Sequence, residues 1–66
     1  MSKEEIVKLL IYEQNRFYLQ AEDYPDLAEK YIDKVITLKN ILGRIVYKDD
    51  LPVSKDENGL YQWRSE

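Results

Sequence analysis

Three acidic side chains, Asp26, Glu29 and Asp33, recur at helical spacing and share one helix face. Helical bundles hold metal ions with carboxylates so arranged, but they need them facing inward, usually with histidine. Here the acidic face points away from the stripe that carries Leu38 and Leu42. The chain has neither histidine nor cysteine, so the usual transition-metal ligands and the thiolate are both missing. A solvated face near the positive end of a helix dipole is the expectation.

Ser54, Asp56, Asn58 and Gly59 match the first, third, fifth and sixth positions of a calcium-binding loop. The match then fails: the twelfth position is Ser65 rather than glutamate, Glu66 comes one residue late, and Pro52 stops any helix from entering. A simple turn is expected instead, because Asn-Gly suits positive φ.

Without histidine or cysteine, a nucleophile and its base must come from serine, lysine, tyrosine or carboxylates. Ser2 suits a helix cap, while Ser54 and Ser65 lie near the end of the chain, none in a nucleophile turn. The sequence therefore assigns no catalytic residue, no cofactor and no metal ligand, and the expectation is a protein that is not an enzyme.

Ten basic and thirteen acidic residues leave a net charge of −3. This disfavours nonspecific nucleic-acid binding, which depends on neutralising phosphates. Of the basic residues Lys34, Lys39, Arg44 and Lys48, only Lys34 and Lys48 fall on a similar helix side. A DNA-reading helix would begin with basic and polar residues, but this one begins with Asp26, Glu29 and Asp33. A nucleic-acid-binding or transcription-linked accessory protein is thus the second reading.

The chemistry left is that of contact. Tyrosine occurs six times. Tyr18, Tyr24 and Tyr31 are in phase with apolar stripes, whereas Tyr12, Tyr47, Tyr61 and Trp63 are not. Amphipathic aromatics of this kind are enriched at interfaces. The candidate partner-binding residues are therefore Leu9, Tyr12, Leu19, Tyr47, Tyr61 and Trp63. For Tyr61 and Trp63 there is a competing role, covering the open side of the chain's own helices.

The elements that must position these groups are two helices. Ser2 followed by Glu5 forms a capping box. At ~100° per residue, Ile6, Val7, Leu10, Ile11, Phe17, Tyr18 and Ala21 fall within an arc of about 140°. Gln14 lies in the same arc, either buried with a partner to fix register or at the stripe's edge. The first helix is expected over about residues 3–21. Glu22 to Pro25 break the chain, with Asp23 as N-cap and Pro25 in a first turn. A second helix is expected over about 24–47, with Leu27, Ala28, Tyr31, Ile32, Val35, Leu38, Leu42 and Ile45 as its stripe. Gly43 is a candidate terminator, yet Ile45 and Val46 stay in phase, so continuation is preferred.

From Asp49 onward the character changes. Pro52–Lys55 against Leu60–Trp63 suits a small β-hairpin, and a tail packed back through Trp63 is an equal alternative.

The expected fold is all-α. It is an antiparallel two-helix hairpin over residues 1–48 with an irregular or short β-turn C-terminal tail over 49–66. Leu10, Val35, Leu38 and Leu42 should be core. Both stripes are wide for helices that cover only each other. A chain this small, without disulfide or metal, usually needs another source of stability, so homodimerisation into a four-helix bundle is expected. No stretch has the ~18–20 apolar residues of a membrane span, and the first ten residues do not read as a signal peptide. A cytoplasmic, non-enzymatic module that binds another protein is the functional expectation.

Overall fold

In the computed structural model, residues 1–64 are described; the candidate loop positions Ser65 and Glu66 lie outside them. Helix α1 spans Lys3–Asp23 and helix α2 spans Ala28–Asp49, with strands β1 (Val53–Lys55) and β2 (Tyr61–Trp63) after them. The capping box forms as its residues predict: the Glu5 N–H donates to Ser2 Oγ at 3.2 Å, and the Ser2 N–H is answered by the Glu5 carboxylate.

The break between the helices differs from the sequence reading. Asp23 is the last residue of α1 and caps nothing, and α2 starts four residues later than expected. Pro25 is the reason. A residue that precedes proline is kept out of the α region, and Tyr24 sits at φ −126°, ψ 76°. Pro25–Leu27 then form a single 3-10 turn that leads into α2. At the far end, α2 runs through Gly43 and stops at Asp50, whose left-handed conformation (φ 50°) ends the helix. Lys3 Nζ meets Asp49 Oδ2 at 3.2 Å, joining the start of α1 to the end of α2. The helices are thus antiparallel, and Phe17 and Tyr31 stack near their turn with ring centroids 6.1 Å apart.

The C-terminal segment is a true antiparallel hairpin, with Val53 opposite Trp63, Ser54 opposite Gln62 and Lys55 opposite Tyr61. The turn is held by Asp56. One of its carboxylate oxygens accepts from the backbone N–H groups of Asn58 (2.8 Å) and Leu60 (2.9 Å). Gly59 adopts φ 81°, which explains the glycine. The residues that resembled a calcium loop thus staple a turn, the bonding pattern typical of aspartate in turns.

Val7, Ile11 and Leu42 form the buried centre, and Leu10, Ile45, Leu51, Val53, Tyr61 and Trp63 pack around it. Of the four residues expected in the core, Val35 and Leu42 are buried, while Leu10 and Leu38 are half-buried. No helix is long and apolar enough to cross a membrane, among the described residues.

Candidate interaction surfaces

The hairpin lies on one side of the helix pair, and Gln14 fixes it there. Gln14 is fully buried. Its side-chain Nε2 donates to the Tyr61 carbonyl at 3.0 Å, and its Oε1 accepts the Tyr61 N–H at 3.0 Å. Asp56 N–H bonds Leu60 O and Arg64 N–H bonds Pro52 O. Hydrogen-bonded and non-hydrogen-bonded pairs alternate in an antiparallel ladder, so the Lys55–Tyr61 pair turns its backbone groups outward. The Gln14 amide fills that outward position as a residue of a third strand would. Its second N–H reaches Asn15 Oδ1, which also accepts from Gln62 Nε2. Of the two roles open to Gln14 in the sequence, the buried and partnered one holds.

Gly43 serves the same docking. A Cβ there would stand 3.0 Å from Tyr61 Oη, so the glycine in mid-helix makes room for the tyrosine of β2. Lys8 Nζ lies 4.8 Å from the centre of the Trp63 ring and covers it from α1. Tyr61 and Trp63 are accordingly half-buried and packed against the central cluster.

The other four candidate contact residues, Leu9, Tyr12, Leu19 and Tyr47, are exposed. They do not form one patch. Tyr12 and Leu19 fall within about 20° of each other on the outer side of α1, and Leu9 lies about 60° from Tyr12. Tyr47 stands on α2, beside the hairpin. Near Tyr12, the Glu13 carboxylate bonds Arg16 at 2.6 Å, and that hydrogen bond raises the guanidinium's already high pKa.

Opposite the hairpin, the groove between the helices is open. One apolar depression of about 560 Å³ is lined by Ile6, Val7 and Ile45, with Lys3, Arg44, Lys48 and Asp49 at its rim. A second, of about 320 Å³, is lined by Phe17, Leu38, Thr37, Asp33 and Lys34. Ile41 is exposed and lies within about 60° of Leu38 and Ile45 on the α2 wheel. Ile6, Leu38 and Ile45 belong to the apolar stripes, whereas Ile41 lies outside the stripe of α2 as read from the sequence. The signal was present in the width of the stripes, but which half of each stripe stays open depends on where the hairpin docks.

Between α2 and the hairpin lies a further cavity of about 620 Å³, lined by Lys39, Asn40, Gly43, Arg44, Tyr47, Lys55 and Tyr61. On the helix wheel alone Lys39 and Arg44 fall on different sides, and Lys55 lies beyond the helix. They meet here because Asn40, Gly43 and Tyr47 form the strip of α2 between them, and the hairpin carries Lys55 to that strip.

Asp26, in the 3-10 turn, and Glu29 and Asp33, in the first turns of α2, remain exposed. Among the described residues, no three of histidine, cysteine, aspartate and glutamate come together as a metal ion would need. No protein-family model, no curated protein and no solved structure matches this chain.

Proposed function

We propose that this protein is a small non-enzymatic interaction module, a regulator, inhibitor or assembly factor. In this reading it self-associates through the open face of its helix pair into a four-helix bundle and acts by binding another protein elsewhere on its surface. The observation that carries it is the asymmetry of cover: the hairpin closes one side of the α1–α2 groove, while Ile6, Phe17, Leu38 and Ile45 line the other and Ile41 lies exposed beside them on α2.

A two-fold contact would bring each copy's open groove against its equivalent, which is the geometry of an isologous dimer. The outer residues Leu9, Tyr12 and Leu19 and the exposed Tyr47 would then be left for a different protein.

Light scattering on a sizing column across a concentration series tests this. The expected result is twice the monomer mass at micromolar concentration. Ile41→Lys should return the chain to monomer with its helical circular dichroism retained. A wild-type chain that stays monomeric and folded at high micromolar concentration overturns the self-association.

A further inference from the structure

The cavity between α2 and the hairpin has a chemical character unlike the rest of the molecule. The chain as a whole is acidic, yet this cavity is lined by Lys39, Arg44 and Lys55 and, among the described residues, by no carboxylate. None of the three cations makes an ion pair with a described residue. Two elements contribute them, Lys39 and Arg44 from α2 and Lys55 from β1, so the cluster exists only once the hairpin docks.

Two of the three cations are held by their surroundings. Lys55 Nζ sits 5.2 Å from the centre of the Tyr61 ring, an arrangement that favours a cation over an aromatic face. Lys39 Nζ lies against the hairpin turn at Gly59. Tyr61 is in turn fixed by the Gln14 clamp. At the rim stands Tyr47, 93% exposed, a ring whose face is free. Asn40 adds a neutral amide able both to donate and to accept. A volume of about 620 Å³ falls in the range of small-molecule sites, roughly 300–1,000 Å³.

Cations flanking a strip that carries Asn40 and a free aromatic ring suit a ligand that is both anionic and flat. Positively charged grooves combined with stacking aromatics are how proteins hold single nucleic-acid strands and nucleotides. We propose that this cavity binds a nucleoside phosphate, free or within a single strand. Lys39, Arg44 and Lys55 would neutralise the phosphate, and Tyr47 would stack on the base. The cavity lies on the hairpin side of α2 and shares Arg44 alone with the rim of the open groove.

The test titrates the wild-type protein with adenosine diphosphate, with a labelled oligothymidylate and with inorganic phosphate, each at low and at raised salt. Binding is followed by calorimetry and by the amide shifts of α2 and β1. The expected result is saturable binding of at least one of the two nucleotide probes, tighter than inorganic phosphate and weakening steeply with salt. Binding of both probes means that a single nucleotide suffices, whereas binding of the oligothymidylate alone means that the ligand is a strand. Lys39→Gln, Arg44→Gln and Lys55→Gln should each weaken binding about tenfold or more. Tyr47→Ala should weaken it about fivefold or more with no change in melting temperature, since its ring touches little of the fold. Absence of saturable binding of either probe at low salt overturns the proposal. So does binding that the four substitutions leave unchanged in variants with wild-type circular dichroism, and so does inorganic phosphate binding as tightly as both probes.

Discussion

The two sides of the helix pair are built from the same kinds of residue and end differently. On the hairpin side, the apolar groups of α1 and α2 meet Val53, Tyr61 and Trp63, and Gln14 satisfies the backbone of β2. On the other side, Ile6 and Ile41 remain exposed beside half-buried Phe17, Leu38 and Ile45. Both sides have apolar surface to bury; only one has a polar group placed to receive a partner's backbone. The difference shows that a helix pair needs more than greasiness to select its cover. Burial is nondirectional, whereas two hydrogen bonds to one peptide unit fix both position and register.

The largest test of this contrast sets Leu42 against its neighbour Ile41. Leu42→Ala should cost about 2–5 kcal/mol, most of what a core this small supplies. Ile41→Ala, at a residue 42% exposed, should cost under about 1 kcal/mol in dilute protein. Urea denaturation measures both. Equal losses at the two positions would erase the distinction between covered and open sides.

Next comes the clamp. Gln14→Ala leaves the Tyr61 N–H and C=O without their partner, at a cost of about 1–3 kcal/mol. Hydrogen exchange at the Tyr61 amide should accelerate together with the loss in stability. Slow exchange in the variant would mean that packing alone docks the hairpin.

A smaller effect belongs to the turn. Gly59→Ala forces a side chain into a φ of 81° and should cost about 1–2 kcal/mol. The loss should fall on the hairpin first, seen as broadened resonances of β1 and β2 while the α1–α2 resonances persist.

The smallest and sharpest is Gly43→Ala. Alanine in a helix interior gains about 1 kcal/mol over glycine, but the new Cβ would press on Tyr61 Oη at 3.0 Å. The two effects should nearly cancel in the wild-type chain. In a Tyr61→Phe background the hydroxyl is gone, and the same substitution should stabilise by about 1 kcal/mol. A full gain in both backgrounds would show that Tyr61 yields freely and that Gly43 is not reserved for it.

Much of the fold was legible before any coordinates. The capping box at Ser2 and Glu5, the two stripes and the helix through Gly43 follow from local spacing and propensity, which act within a turn or two of the chain. The hairpin was half-legible. Asn58-Gly59 marked the turn, but strands of three residues carry too little periodicity to be separated from a packed tail. The interaction surfaces were the least legible. Tyr61 and Trp63 read equally well as anchors for a partner and as cover for their own helices, because an aromatic's role depends on what lies opposite it.

By itself the sequence determined two helices, their caps, a turn at Asn58-Gly59 and a glutamine in an apolar arc. These features arise from neighbours in the chain. Tertiary structure alone decided that Gln14 meets Tyr61, 47 residues away, that Gly43 makes room for the tyrosine ring, and that Lys55 joins Lys39 and Arg44 around one cavity. It also decided which side of the helix pair stays open. Such outcomes depend on where one packed layer lands on another, and many landings bury similar apolar area. The landing is fixed by a few directional bonds and close approaches, whose partners are distant in sequence and leave no periodic trace there.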